Sequence, residues 1–327
     1  MSVPQGIPAI FGHRGACGYR PENTLESFAL AFDMGVDAVE CDLLPTKDGQ
    51  LMVIHDAEFS STTNVADLPQ FADRRRELVL PWRTLDGWFI QDFEAHELSV
   101  LRAKERMPDE RPGSAKFDGQ FKVPSLQDFL NADFAVAGRT LILELKFAWL
   151  FKQVGLDSAA LLVEALLASD WRERGLKLVI EAFEYETLLA VKAGLAAGSP
   201  ASTNPLDGIT FVLLTEQWRL DQFLATETLD QFLARCAVDF DGISFDHTML
   251  SAPVAEGSTA QFGEINGLVA AARAHHLTVF TWTARAEQAQ YSLEEYLQHF
   301  VDLKVDGVFA DQPDLFINYL REGGLEG

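Results

Sequence analysis

The stretch AVECDLLPTKDGQLMVIH, residues 38–55, decides which fold this chain can adopt. It holds two apolar runs of strand length, residues 38–44 and 51–54, joined by only six residues. A crossover between parallel strands needs about a dozen residues, so this link is too short for one. Because Asp48-Gly49 is a signal for a hairpin turn, the second run is predicted to fold back antiparallel to the first.

Outward from this hairpin, apolar runs of strand length alternate with helical patterns along the chain. The other predicted strands are residues 9–11, 140–145, 178–183, 209–214, 242–245, 278–282 and 307–309. Helical patterns cover, for example, residues 24–34, 157–169, 184–193 and 266–275. Repeated strand and helix imply a parallel sheet. With the antiparallel run set aside, eight strands remain, which predicts an α/β fold, a (β/α)8 TIM barrel with its active site at the carboxyl ends of the strands.

Residues 57–124 show no clear alternation of strands and helices, and they are too many for a plain loop. We expect one TIM-barrel catalytic domain over residues 1–327, in which residues 57–124 form an insertion after the hairpin and lie over the barrel mouth. There the insertion would shape a substrate pocket. An ordered insertion that only packs is an equal alternative.

The balance of charge excludes two classes of partner. The chain carries 49 acidic and 26 basic residues, a formal net charge of -23. This charge repels nucleic acids and anionic membrane surfaces, so neither is expected as a partner. A phosphate-bearing substrate must then be drawn in by a local cationic group or a metal ion. No apolar stretch approaches the ~20 residues that span a bilayer, so no integral membrane segment is expected.

Cysteine usage and the first residues bear on the compartment. Cys17, Cys41 and Cys236 cannot form a disulfide framework and share no metal-binding spacing, so they are interpreted as reduced. The first residues show no basic region and no long apolar run, so no signal peptide is expected. A cytoplasmic protein is predicted, with a periplasmic or secreted one as the alternative if a signal sequence is missing from this chain.

Three carboxylates are expected to converge at the barrel mouth. Glu40 and Asp42 are two residues apart on one predicted strand and so point to the same face, and Glu144 ends the neighbouring barrel strand. Adjacent buried carboxylates repel unless a cation compensates them. Oxygen donors without cysteine favour one hard divalent ion, Mg²⁺ or Ca²⁺, over zinc. The alternative is that Arg14 and Lys146 neutralise the cluster as ordinary ion pairs.

Two histidines and three further side chains complete the predicted site. His13 and His55 both lie at strand ends beside the proposed metal, where a pair suits general acid and base chemistry near neutral pH. Arg14 and Lys146 supply positive charge for the oxygens of a phosphate diester. Trp282 ends a strand where its indole would form the wall of a glycerol or head-group pocket, and core packing is the competing interpretation.

Weaker polar features stand at other strand ends. Glu181 would add another carboxylate to the mouth. Asp246-His247 follows a predicted strand, where a contact with substrate and a role in a turn are equally expected.

Motifs spread over nearly the whole chain resemble those of the glycerophosphodiester phosphodiesterase family, in the phosphatidylinositol-phospholipase-C-like TIM barrel superfamily. The matching segments are GHRGACGYRPENT at 12–24, ECD at 40–42, TKDG at 46–49, VIHD at 53–56, ELK at 144–146, Phe183, TWT at 281–283 and DGVFAD at 306–311. Residues 88–102 and 117–120 are similar to the larger, periplasmic-type branch. Ala182 stands where the family has a small polar residue and Cys17 where it often has serine, and neither departure removes a catalytic group.

The resemblance implies an activity and a role for each site residue. The substrate would be a glycerophosphodiester such as glycerophosphocholine, cleaved to sn-glycerol 3-phosphate and an alcohol. The implied roles are catalysis by His13 and His55, metal ligation by Glu40, Asp42 and Glu144, and phosphate contacts from Arg14 and Lys146. Residues 21–24 match as well, but they lie at a predicted helix start, so Asn23 or Thr24 is expected to cap free amides rather than to catalyse.

Other functions stay open on the sequence alone. A lysophospholipase D or a phospholipase-type phosphodiesterase would need an apolar channel, which Phe71, Trp82, Trp88 and Phe89 of the insertion would provide. A non-catalytic barrel that binds phosphodiesters is the alternative from another class. The oligomeric state is not predicted.

Overall fold

The computed structural model describes residues 7–80, 83–198, 204–254 and 260–323. Its strands are β1 (Ala9–His13), β2 (Ala38–Pro45), β3 (Leu51–Val53), β4 (Arg76–Val79), β5 (Thr84–Gly87), β6 (Thr140–Leu145), β7 (Lys177–Ala182), β8 (Ile209–Thr215), β9 (Gly242–Asp246), β10 (Thr278–Ala284) and β11 (Gly307–Ala310). Its α-helices are α1 (Leu25–Met34), α2 (Ala95–Leu98), α3 (Pro112–Ala115), α4 (Leu126–Leu130), α5 (Ala148–Gln153), α6 (Ser158–Ala168), α7 (Tyr185–Gly198), α8 (Gln217–Leu224), α9 (Leu229–Asp239), α10 (Leu268–Ala274), α11 (Leu293–Asp302) and α12 (Pro313–Glu322).

Eight parallel strands close into the predicted (β/α)8 barrel. They follow the order β1, β2, β6, β7, β8, β9, β10 and β11, and β1 pairs with both β2 and β11 to complete the circle. As predicted, β3 pairs antiparallel with β2 and stands outside the circle, with Leu43 opposite Val53. All nine strands predicted from the sequence are present, with bounds that agree within two residues.

Side-chain alternation along the strands divides the core and aims polar groups inward. In β6, Leu141, Leu143 and Leu145 pack outward against the helices, whereas Ile142 belongs to the small apolar cluster inside the barrel. Glu144 has the same parity as Ile142, so it points into the barrel, above that cluster. The barrel interior is therefore acidic at the carboxyl ends of the strands and apolar toward their amino ends.

Residues 57–124 contain regular structure that the sequence did not predict. The β4 and β5 strands pair antiparallel, and short helices such as α2 and α3 follow. The segment has a core that includes Phe71, Trp88 and Leu98 of α2, and the Trp88 indole donates to the Phe71 carbonyl at 2.6 Å. Short strands of four residues carry little periodicity, which is why the hairpin was not found.

Three of the four aromatic residues named for the apolar channel of a phospholipase-type enzyme do not form one. Phe71, Trp88 and Phe89 are at most 8% exposed, so they leave no open lining. Trp82 lies outside the described residues. The three described aromatic side chains therefore serve packing within residues 57–124.

Within the described ranges, we find no helix that is both long and apolar enough to cross a membrane.

Candidate active site

A cavity of about 390 Å³ opens at the carboxyl ends of the barrel strands. Of the eight residues predicted for the site, seven line it: His13, Arg14, Glu40, His55, Glu144, Lys146 and Trp282. The eighth, Asp42, is fully buried directly behind them, in contact with Lys146 and Arg14. The predicted residues therefore meet in one place.

The three carboxylates form one cluster because of strand register. Asp42 on β2 lies opposite Glu144 on β6, and Glu40 sits one pleat below Asp42 on the same face. One oxygen from each of the three lies within 4.8 Å of the others, and all three residues are buried. Burial raises the pKa of Glu144 to about 7, with Lys146 opposing this rise. Burial, then Asp42 and Glu144, raises the pKa of Glu40 well above its usual range.

Asp42 is the most acidic member of the cluster. Burial alone would raise its pKa, but the charges of Arg14 and Lys146 outweigh burial and hold the pKa well below its usual range. The Asn23 side-chain amide donates to Asp42 Oδ2 at 2.7 Å, and the Asp42 backbone N–H donates back to Asn23 Oδ1. This hydrogen-bonded pair fixes the carboxylate at the centre of the site.

Two cations lie against the acidic cluster, as the ion-pair alternative expects. Lys146 Nζ lies 2.6 Å from Glu144 Oε1 and 3.3 Å from Asp42 Oδ1. Arg14 Nε lies 3.1 Å from Asp42 Oδ2, and the Arg14 backbone N–H donates to Glu40 Oε2 at 2.8 Å. Arg14 has a left-handed backbone with φ of 54°, a conformation that favours glycine and that turns this N–H toward the cluster.

The donor set fits a hard divalent cation. The cluster offers three buried carboxylates and no thiol, and oxygen donors of this kind are the ligands that Mg²⁺ and Ca²⁺ prefer. In the described part of the chain, Glu40 Oε1 is buried without a hydrogen-bond partner. A buried acceptor left without a donor is costly, and a bound cation would satisfy it.

Each of the two histidines is held by a carboxylate. His13 Nδ1 lies 2.6 Å from Asp311 Oδ1, and His55 Nδ1 lies 2.7 Å from Asp56 Oδ1. Burial would raise the pKa of each aspartate, but the hydrogen bond and charge of the histidine, with nearby arginines, lower it below the usual range. An ionised carboxylate only accepts, so Nδ1 carries the proton in both rings and Nε2 is left as the acceptor.

In the metal-free protein, the surroundings of both histidines favour the neutral imidazole. Burial, reinforced by the charge of Arg14, lowers the pKa of His13 to about 4, and Asp311 only partly opposes this. Burial, then Arg14 and Lys146, lowers the pKa of His55 as well. A neutral imidazole with a free Nε2 can take up a proton.

The indole of Trp282 lies between the cavity and the apolar interior of the barrel. It lines the cavity, and it also packs on the apolar cluster inside the barrel. The Phe183 ring meets it edge to face, with ring centroids 5.5 Å apart. The two aromatic side chains form one wall of the cavity.

Of the weaker features in the sequence, Glu181 lies at the cavity and Asp246 does not. Glu181 lines the cavity opposite Glu144 in register, and burial raises its pKa well above the usual range. Asp246 accepts from the Thr248 backbone N–H at 2.8 Å, which is the turn role. Thr24 caps α1 as expected. Asn23 does not cap that helix, because its side chain binds Asp42 instead.

The sequence did not identify four of the charged residues around the histidines. Asp56 and Asp311 lie inside quoted motifs, and applying the strand-end argument to every polar residue there would have found them. Arg106 reaches Asp56 and Arg111 reaches Asp311 from residues 57–124. No local pattern marks these two arginines, because their partners are 50 and 200 residues away along the chain.

The comparisons with known proteins agree with this geometry. The model of the Glycerophosphoryl diester phosphodiesterase family matches residues 13–315. A glycerophosphodiester phosphodiesterase of Haemophilus influenzae is 30% identical over 200 residues, which cover 57% of this chain and 52% of that protein. The chain spans about a third to a half of the length of the curated relatives that it matches first.

Two solved structures share the fold. One is a Silicibacter pomeroyi protein that bears the same family name, with a TM-score of 0.69, 22% identity and coverage of 98% of this chain and 95% of that one. The other is a phosphodiesterase of Oleispira antarctica in complex with the product sn-glycerol-3-phosphate, with a TM-score of 0.62, 21% identity and coverage of 96% and 97%. Since the family model spans the barrel from its first histidine almost to its end, the chain belongs to the glycerophosphoryl diester phosphodiesterase family.

Proposed function

We propose that this chain is a metal-dependent phosphodiesterase that hydrolyses glycerophosphodiesters, such as glycerophosphocholine, to sn-glycerol 3-phosphate and an alcohol. One observation carries the proposal: His13 and His55, each with Nδ1 held by a carboxylate, line the same cavity as Glu40 and Glu144 of the acidic cluster. A pair of oriented histidines beside oxygen ligands suits acid and base chemistry on a phosphate ester. Family membership supports the same substrate class.

The acidic cluster would hold the metal. Glu40, Asp42 and Glu144 are the proposed ligands of one divalent cation, Mg²⁺ or Ca²⁺. When bound, such a cation polarises a phosphate oxygen and lowers the pKa of a neighbouring hydroxyl. Arg14 and Lys146 are proposed to donate to the non-bridging phosphate oxygens, and both have donors beyond those used in their ion pairs.

The proposed reaction has two steps. One histidine accepts the proton of the glycerol 2-hydroxyl at Nε2 while that oxygen attacks phosphorus. The other histidine enters this step as an imidazolium, the form that the charge of the neighbouring anionic phosphate favours, and it donates its Nε2 proton to the departing alcohol oxygen as the bond from that oxygen to phosphorus breaks. A cyclic glycerol phosphate results, and water opens it with the two roles reversed, which returns each histidine to its first protonation state. The aromatic wall of Trp282 and Phe183 packs against an apolar face of the bound substrate.

We also propose that residues 57–124 form an insertion within one catalytic domain. Arg106 of this segment lines the cavity, which supports a role in the site beyond packing. A cytoplasmic location is proposed as well, supported by the three buried cysteines, which are all free. Cell fractionation with an antibody to the protein tests that location.

The experiment that tests the function uses metal-stripped protein and a panel of glycerophosphodiesters. Adding back Ca²⁺ or Mg²⁺ should restore release of sn-glycerol 3-phosphate from at least one of them. No release from any diester with either ion would discard the function. A substrate without the 2-hydroxyl should be inert, and its normal turnover would replace the cyclic intermediate by direct attack of water.

A further inference from the structure

Two arginines of residues 57–124 reach the two carboxylates that hold the histidines. We propose that Arg106 and Arg111 are positioning residues, Arg106 for His55 and Arg111 for His13. The inference rests on the proposed function, since it assigns these arginines to the proposed acid and base. Beyond the proposed function, the inference assigns the orientation of both imidazoles to one short turn outside the barrel strands.

Arg106 holds the second oxygen of the His55 partner. Asp56 Oδ1 accepts a hydrogen bond from His55 Nδ1. Its other oxygen, Oδ2, accepts one from Arg106 Nη2 at 2.7 Å. The same guanidinium binds Glu22 in a fork, with Nε donating at 2.7 Å and Nη2 at 2.8 Å. Glu22 in turn accepts from Arg14. Asp56 is thereby fixed at both oxygens and cannot rotate away from the imidazole.

Arg111 repeats this arrangement at the other histidine. Asp311 Oδ1 accepts a hydrogen bond from His13 Nδ1, and Asp311 Oδ2 accepts one from Arg111 Nη2 at 2.5 Å. Arg285 Nε also donates to that oxygen, at 3.0 Å. Arg111 Nε is anchored on Glu287 at 2.7 Å. At both histidines, one oxygen of the aspartate accepts a hydrogen bond from the imidazole and the other accepts one from an arginine.

A tight turn sets the distance between the two arginines. The Arg111 backbone N–H donates to the Met107 carbonyl at 2.8 Å, and the Met107 N–H is held by Glu105 Oε1 at 2.9 Å. Arg111 then leads into α3, whose first residue is Pro112. Because the turn is closed by backbone hydrogen bonds, displacing it would disturb both histidines together.

Burial explains why these contacts are tight. The side chain of Arg111 is 6% exposed and that of Arg106 is 29% exposed. A guanidinium removed from water must be paired with carboxylates and hydrogen-bonded, and planar forks on carboxylates are the arrangement that arginine forms best. Each arginine is therefore held in place by its ion pairs, and these ion pairs in turn fix the aspartates that orient the histidines.

The test replaces each arginine and reads kcat apart from KM. R106Q and R111Q should each lower kcat by about 10- to 100-fold, the range known for outer partners of active-site histidines. KM should stay within about threefold for R111Q, since Arg111 does not line the cavity, and for R106Q kcat should fall by a larger factor than KM rises, because a positioning residue acts on the imidazole. R106K and R111K keep the charge but not the fork and should recover part of the lost rate.

A matched control comes from the same segment. Arg74 makes the same kind of fork on Glu97, and neither residue lines the cavity. R74Q should leave kcat and KM unchanged. A loss of rate in R74Q equal to that in R106Q would mean that the segment contributes only general stability, and the assignment would fall.

A second readout follows the imidazoles directly. In protein with ¹⁵N-labelled histidine, R106Q should broaden or shift the Nδ1–H signal of His55 and spare that of His13, and R111Q should do the reverse. Unchanged signals in both variants, or a rise in KM with kcat kept, would overturn the proposal. R111K replaces R111Q if the latter does not fold. This readout needs no turnover, so inactivity of the wild-type protein on every diester would discard the proposed function and leave the arginine assignment testable.

Discussion

Glu144 has a pKa close to neutral, and this gives the acidic cluster a dependence on pH. Burial raises the pKa of Glu144 to about 7, so below that pH the carboxyl is protonated and cannot ligate a cation. We expect the affinity for Ca²⁺ or Mg²⁺ to rise as the pH rises through about 7, with release of protons from Glu144 and from Glu40, whose pKa is also raised. Titration calorimetry in buffers of different ionisation enthalpy measures the protons released. Affinity that is equal at pH 6 and pH 8, with no proton released, would contradict the assignment of Glu144 as a ligand.

His13 makes the stability of the fold depend on pH, and this stability also rises as the pH rises. Its pKa falls from 6.5 in the unfolded chain to about 4 in the fold, so the unfolded state binds a proton first as the pH drops. The stability contributed by neutral His13 is full above about pH 6.5 and is lost between there and pH 4. The expected loss is about 3 kcal/mol larger than in the variant His13→Asn, whose side chain does not titrate in this range.

Urea unfolding of the two proteins at pH 7 and pH 4.5 measures this difference. Parallel curves, in which the variant loses as much stability as the wild type, would show that the His13 ring is not held neutral by the fold.

At the scale of elements, the turn between β2 and β3 depends on one glycine. Gly49 has φ of 80°, and a Cβ there would also lie 3.1 Å from Leu161 Cδ2. Gly49→Ala should lower the free energy of unfolding by about 1–2 kcal/mol, the cost of a left-handed backbone for a residue with a Cβ. Gly113 in α3 is the matched control, because it has no positive φ and nothing lies within 4 Å of an added Cβ.

The control variant Gly113→Ala should be neutral or slightly stabilising, since alanine is the better helix former. Thermal unfolding of both variants compares them. Equal midpoints would mean that the hairpin tolerates a regular backbone at residue 49.

The hairpin also shows how far sequence reasoning reaches. Its short link and Asp48-Gly49 turn predict the antiparallel return, and the backbone N–H of Ile54 does bond to the Asp42 carbonyl, which brings His55 to the barrel mouth. Spacing of two on a strand likewise predicts that Glu40 and Asp42 share a face. These features are local, so a pattern in the chain can express them.

Other parts of the site are not local and were not predicted. The β4 and β5 strands are four residues each, too short for periodicity to appear. Arg111 meets Asp311 only after the whole barrel has closed. Asn23 was expected to cap a helix, but a buried carboxylate from another strand takes its amide. Tertiary contacts of this kind have no signature in the sequence near the residue.

At the scale of the whole molecule, the net charge of -23 opposes an anionic substrate. Salt screens this repulsion over a Debye length of about 10 Å at 0.1 M. We expect kcat/KM for glycerophosphoglycerol, which is anionic, to rise about two- to threefold between 10 and 150 mM salt. The value for glycerophosphocholine, which is zwitterionic, should change little. A fall in kcat/KM with salt for both substrates would mean that the cations at the cavity outweigh the charge of the whole protein.

The proposed hydrolysis depends on the barrel, the acidic cluster and the histidine pair together. The measurement that tests it most directly is ³¹P NMR. Metal-stripped protein is mixed with glycerophosphocholine, and Ca²⁺ or Mg²⁺ is then added. The diester signal should persist until the ion is added and then give way to that of sn-glycerol 3-phosphate, with a transient cyclic phosphate, and H13A or H55A should abolish the change. A diester signal that stays constant in the wild-type protein with both ions would contradict the central claim.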